Sequence, residues 1–203
     1  MEYYELHPVD PQIRFIRKAV EVLEDGGVII YPTDTVYGIG CDIFNKEALS
    51  RVQAIKSNPD IKLLSFIIPD LKEIAKYAKV SDYAYRTMKH LLPGPYTFIL
   101  PASKLVPKKL WTKRKTVGIR IPNHNVALKI VEELGHPIIS TSTTNRKGDV
   151  LIDPNEIKNI FNSQIDLMLA SGNLSGKSSS VIDLSNETPV VVREGAGDIS
   201  LFV

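Results

Sequence analysis

Helical and strand-like patterns alternate along this 203-residue chain with only short breaks between them, and that alternation confines it to α/β architectures. Asp10 and Pro11 give an N-cap and first-turn signal. Ile13, Ile16, Val20 and Leu23 keep one helical face apolar, and Gly26 with Gly27 ends the run before a strand at 28–31. Further periodicities predict helices at 46–55, 70–77, 81–91, 125–134 and 154–161. Strands are expected at 63–68, 96–100, 116–121, 137–141, 166–170, 179–183 and 189–193. The chain carries no internal repeat and no low-complexity linker, and its one loose segment, 143–152, is too short to separate domains. The expectation is a single domain over residues 1–203, built on a mixed sheet.

Composition narrows the chemistry. A hydrophobic share of 43% fills a sizeable core, and a net charge of +2 means that attraction for nucleic acid must come from local clustering. The lone cysteine, Cys41, excludes an internal disulfide framework and a cysteine-rich zinc site, and its place after an apolar loop reads as core. His7, His90, His124 and His136 lie far apart with no metal-ligand spacing. No apolar segment follows a basic start and no apolar run is long enough to span a bilayer, so a cytoplasmic location is expected.

The chemical signal is distributed over strand ends, where open sheets bind ligands. Polar clusters stand at 32–38 (PTDTVYG), 140–145 (STSTTN), 177–183 (KSSSVID) and 193–198 (REGAGD). Lys56, Arg120 and Arg193 add three cations that would suit a nucleotide phosphate if the sheet gathers them. GNLSGKSSS at 172–180 imitates a P-loop but is one residue short between its glycines, and it reads as a solvated turn between two strands. Between Pro101 and Arg120 seven basic residues, Lys104, Lys108, Lys109, Lys113, Arg114, Lys115 and Arg120, accompany Trp111 without one acid. Such a patch can track a phosphate backbone while Trp111 stacks on a base; the alternative is a solvated loop with Trp111 as its anchor.

In order along the chain, IYPTDTVYGIG at 30–40, Lys56, LPGPYTFIL at 92–100, VGIRIP at 117–122, STS at 140–142, SSVIDL at 179–184 and VVREGAGDI at 191–199 resemble the YrdC/YciO superfamily. The resemblance implies a twisted mixed sheet around a large, concave, positively charged cavity. It also implies a nucleotidyltransferase like threonylcarbamoyl-AMP synthase, which joins L-threonine, bicarbonate and ATP with magnesium and serves tRNA threonylcarbamoyladenosine formation. The alternative it brings is binding of double-stranded RNA or tRNA by the same fold without synthase activity. The synthases carry Lys-x-Arg, then Pro-Leu, a histidine and Ser-x-Asn. Here Lys56 matches, Asn58 replaces the arginine and Leu63 the proline, Ile67 falls near the histidine, and Ser142 is followed by Thr144 at the asparagine position, with Asn145 one residue beyond it. The STS, KRKTVGIRIP and DLSNETPVVVREGAGD stretches look closest to the YciO-like branch.

On this resemblance Lys56, Arg120 and Ser142 are expected at the reacting groups, and Ser140, Thr144, Ser180 and Arg193 join Lys56 and Ser142 around the nucleotide. Thr33, Thr35, Tyr37 and Arg120 are expected around threonine. Thr33 and Thr35, at alternate positions of an extended segment, would point the same way. Tyr37 would close one side, and Gly38 with Gly40 would let backbone come close to the ligand.

Overall fold

The apolar stripe near the start of the chain winds into α1 (Ile13–Glu24), which buries Ile16, Ala19, Val20 and Leu23 and leaves Ile13 half exposed. Asp10 does not cap it. The helix begins after Gln12, whose side chain makes no cap bond, and the N–H groups of Val9 and Asp10 close a local turn on His7 Nδ1 instead. The computed structural model describes residues 1–55, 64–106 and 115–203. Lys56, Asn58 and Leu63 therefore lie outside the described residues, as do Lys108, Lys109, Trp111, Lys113 and Arg114 of the basic stretch.

Among the described residues ten strands form one sheet. They are β1 (Glu2–Glu5), β2 (Val28–Tyr31), β3 (Gly38–Asp42), β4 (Ser65–Ile67), β5 (Tyr96–Pro101), β6 (Thr116–Arg120), β7 (Ile138–Ser142), β8 (Leu167–Ala170), β9 (Ser180–Asp183) and β10 (Val190–Arg193). Their spatial order is β1-β8-β2-β3-β7-β4-β6-β5-β9-β10. Pairing is parallel for β1 with β8, β8 with β2, β4 with β6 and β5 with β9, and antiparallel elsewhere. The sheet is mixed, as the sequence suggests. Two strands escape the sequence pattern: β1, a short edge strand of Glu and Tyr, and β3, whose glycines imitate a loop.

The remaining helices are α2 (Lys46–Ile55), α3 (Ile74–Tyr77), α4 (Asp82–Leu91), α5 (Asn125–Leu134) and α6 (Pro154–Phe161). The helix expected over 70–77 shrinks to α3 because Asp70 Oδ1 takes the N–H of Lys72 in a local turn. One face of the sheet packs Ile29, Tyr31, Ile67, Ile138, Leu167 and Leu169 under α1 and α5. The other meets α2, α4 and α6 through Ile39, Phe66, Phe98, Ile119, Ile139 and Ile182. Cys41 belongs to that second core, where burial pushes its thiol up to about 12, in keeping with an inert apolar role. No helix among the described residues is long and apolar enough to cross a membrane.

Gly38 and Gly40 make room for a neighbouring side chain. The register sets Tyr31 opposite Gly38, and a Cβ on Gly40 would stand 2.9 Å from Tyr31 Cε1 and 3.2 Å from the Ile139 carbonyl oxygen. An aromatic ring from the neighbouring strand fills the space that two missing side chains leave. Gly40→Ala is expected to cost about 1–3 kcal/mol in urea denaturation, by forcing that ring off its position. The same change in a Tyr31→Leu background should cost clearly less; equal losses in the two backgrounds would show that the ring is not the obstacle.

Candidate functional site

Successive side chains of a strand point to opposite faces, so IISTS in β7 divides itself: Ile139 enters the core while Ser140 and Ser142 take the other face. Register then lines up Gly40, Ser140, Ser65, Gly118 and Ile99 straight across five strands. Further along this face, Ile67 and Ile138 lie under α1 and α5. At the small and polar row the face opens instead, and a cavity of about 340 Å³ stands on it. Thr97, Thr116, Ser179 and Val181 extend its wall, and the described charged side chains that line it are Arg120 and Arg193.

Arg120 ends β6 and is 6% exposed, so its guanidinium must find partners inside the protein. The loop between β2 and β3 supplies them. Arg120 Nη2 reaches Asp34 Oδ1 at 2.6 Å, Thr35 Oγ1 at 2.7 Å and Thr33 Oγ1 at 3.2 Å. Thr33 also shapes that loop: its hydroxyl donates to the Val36 carbonyl at 2.6 Å and accepts the N–H groups of Thr35 and Val36, each at 3.2 Å. Arg120 Nε and Asp34 Oδ2 remain buried with no hydrogen-bond partner among the described residues.

The 171–179 loop clasps the 33–37 loop from outside. Tyr37 donates its hydroxyl to the Gly172 carbonyl at 2.6 Å and accepts the Ser171 N–H at 3.0 Å. Ser175 Oγ and Gly176 N both donate to the Thr35 carbonyl, at 2.9 and 3.3 Å. The expected turn between two strands is there, but its far end is part of the cavity wall, through Ser178 and Ser179. Arg193 is fixed on the same segment, its Nε and Nη2 donating to the Ser179 carbonyl at 3.2 and 2.8 Å. Burial lowers the Arg193 pKa, and the nearby charge of Arg120 adds to that.

The cavity thus brings together Thr33, Tyr37, Arg120, Ser140, Ser142, Thr144 and Arg193 of the residues singled out from the sequence. Several expectations need correction. Thr33 and Thr35 sit in an irregular loop and not an extended segment; their hydroxyls do point the same way, 3.2 Å apart and both on Arg120 Nη2. Tyr37 does line one side, but its hydroxyl is spent on the 171–179 loop. Ser180 faces away, its Oγ donating to the Gly197 carbonyl and accepting the Gly195 N–H, so Ser179 stands in its place on the wall. Arg120 does not belong with an exposed basic patch. Ser65, Thr97, Asp34 and Gly118 escaped the sequence reading, although the alternation of YTFIL and TVGIR already sets Thr97 and Gly118 on the serine face.

The Sua5, YciO and YrdC family model, described as telomere recombination, matches residues 21–195. YciO of Escherichia coli strain K12 is 43% identical over 204 residues, which cover 100% of this chain and 99% of that one. The crystal structure of E. coli YciO superposes with a TM-score of 0.96 over 100% of both chains. A threonylcarbamoyl-AMP synthase of Chromobacterium violaceum is 33% identical over 177 residues, 87% of this chain and 92% of that protein. The crystal structure of P. abyssi Sua5 complexed with L-threonine matches with a TM-score of 0.89 at 28% identity, over 96% of this chain and 58% of that one. The α/β mixed sheet expected from the sequence is the fold of these relatives.

Two outcomes test the geometry. Arg120→Met leaves the Asp34 carboxylate buried without its cation and is expected to destabilise the fold by about 3–5 kcal/mol, with part of the loss recovered on adding Asp34→Asn. Urea titrations of the single and double variants read this, and no recovery in the double variant would count against the pair. The second outcome concerns His124, which caps α5 by accepting the Val126 N–H on Nδ1 at 3.3 Å. Burial lowers its pKa below 6.5, against a weaker opposing pull from Asp34. A lowered histidine pKa favours the neutral folded form, so its stabilisation is complete above the unfolded value and is lost as pH falls through the folded one. Between about pH 7.5 and about pH 5.5 the wild type should lose more stability than His124→Asn, which keeps a cap without a titrating group. Parallel losses would refute the assignment.

Proposed function

The chain belongs to the Sua5/YciO/YrdC family, and from that premise we propose that it acts on an L-threonine-derived carbamate and a nucleotide, forming or consuming threonylcarbamoyl-AMP on the path to tRNA modification. One observation carries the reading: a buried guanidinium, Arg120, is held by Thr33, Asp34 and Thr35 at the edge of a cavity that also contains Arg193 and a floor of serines. Two cations and several hydroxyls on one concave surface suit an anionic ligand. A 28%-identical relative, P. abyssi Sua5, is complexed with L-threonine, and a 33%-identical relative from C. violaceum is named a threonylcarbamoyl-AMP synthase.

The residues present fit a nucleotide. Arg120 Nε is buried without a hydrogen-bond partner among the described residues, and Arg193 is anchored on a backbone carbonyl, with its lowered pKa traced to burial and Arg120. In the synthase direction, a carboxylate oxygen of the threonine carbamate attacks the α-phosphorus of ATP and pyrophosphate leaves. Negative charge builds on the phosphoryl oxygens, and cations already in position lower that barrier without reorganising. Arg120, Arg193, Ser140 and Ser142 would bind and orient the phosphates or the carboxylate, and the sheet floor would exclude water. A protein-built cage for magnesium does not fit: no group of three His, Cys, Asp or Glu with metal-holding geometry occurs among the described residues. Magnesium in such a reaction commonly rides on the nucleotide phosphates.

Pyrophosphate release from ATP, L-threonine and bicarbonate tests the proposal, with each substrate omitted in turn. Release that requires all three is expected, and Arg193→Ala should slow it by about two to three decades, the scale of losing one electrostatic donor. Asn58→Arg restores the arginine of the synthase pattern and is expected to raise the rate by a comparable factor. No release above the omission controls, from either the wild type or Asn58→Arg, would end the synthase reading.

A further inference from the structure

Beneath the cavity floor lies a phenol that no step of the proposed reaction uses. Tyr31, the last residue of β2, is fully buried, and its hydroxyl donates to Ser140 Oγ at 2.6 Å. The glycines above it keep that path open. A Cβ on Gly38 would stand 3.0 Å from the Tyr31 hydroxyl and 2.8 Å from Ser140 Oγ, while one on Gly40 would press on the ring. Burial raises the Tyr31 pKa, outweighing the lowering by the Ser140 bond and by the charge of Arg120. The phenol therefore keeps its proton and its role as donor, and Ser140, which receives it, lines the cavity.

A serine hydroxyl has one hydrogen and two lone pairs, and Tyr31 occupies one of those lone pairs. The hydrogen of Ser140 is left to point elsewhere, and an oxygen that already accepts a hydrogen bond donates a stronger one. Arg193, together with the Arg120 guanidinium that Asp34 balances in part, favours an anionic partner in the same cavity. We propose that Tyr31 is a positioning residue that sets Ser140 as a hydrogen-bond donor toward an anionic oxygen of the bound ligand, either a nucleotide phosphate or an amino-acid carboxylate. The proposal rests on the ligand reading of the cavity given above. It adds an orientation to Ser140 and a function to a residue with no exposure to the ligand.

Calorimetric titration of ATP with magnesium, and separately of L-threonine, into the full chain tests it on the wild type, Tyr31→Phe, Ser140→Ala and the double variant. Tyr31→Phe keeps the ring that fills the space at Gly38 and Gly40 and removes only the donor. It is expected to weaken one of the two probes about three- to tenfold, the worth of one hydrogen bond. Ser140→Ala should weaken the same probe at least as much, and the double variant no more than Ser140→Ala, because the phenol acts through the serine. The probe that suffers identifies the anion as phosphate or carboxylate. Unchanged affinity of Tyr31→Phe for both probes, or losses that multiply in the double variant, would overturn the positioning role while leaving the ligand reading intact. A wild type that binds neither probe would overturn both. Should Tyr31→Phe fail to fold, Ser140→Cys, whose thiol is a weak donor, reads the same bond from its other end: it should weaken the affected probe, and unchanged affinity would overturn the role.

Discussion

A guanidinium taken out of water costs several kcal/mol unless each of its faces is met, and the architecture around the cavity is arranged about meeting that requirement for Arg120. Its strand, β6, ends where the β2–β3 loop can offer Asp34, Thr33 and Thr35. That loop would be a poor anchor by itself, being short and irregular. Thr33 stiffens it from within, and Tyr37, Ser175 and Gly176 bolt it to the 171–179 loop from without. What remains unmet among the described residues, Nε of Arg120 and Oδ2 of Asp34, is a residual polar demand at the edge of the cavity. Structures tolerate such a demand where a ligand or water answers it.

Much of the fold is legible in the sequence because its periodicities are strong. α1, α4, α5 and α6 carry clear apolar faces, and β5 alternates cleanly. What stays hidden is hidden for physical reasons. β3 reads as loop because its glycines look like turn residues, and only the Tyr31 ring on the neighbouring strand explains them. β1 has no apolar run at all; parallel pairing with β8 makes it a strand. Both depend on partners far away in sequence, which no local window contains.

The site divides in the same way. Arg120, Arg193, Ser140 and Ser142 are recoverable because polar residues at strand ends stand out against apolar runs. Ser179 and Ser180 are indistinguishable in sequence, since adjacent hydroxyls have equal chemistry; the phase of β9 decides which one the cavity receives and which one ties down the backbone near Gly195 and Gly197. The threonines of the PTDT segment are polar for a reason, but the reason is Arg120. Hydroxyls gathered in a loop announce that something is hydrogen-bonded without saying whether it is a ligand or another part of the protein.

The clasp between Tyr37 and Gly172 spans 135 residues, and Arg120 meets the PTDT loop across a separation of 85 to 87. Closing loops of that length is entropically costly until the whole sheet is present to reward it. No shorter stretch of the chain carries a working fraction of the cavity. The walls of the cavity therefore come together only once strands far apart in the sequence have paired.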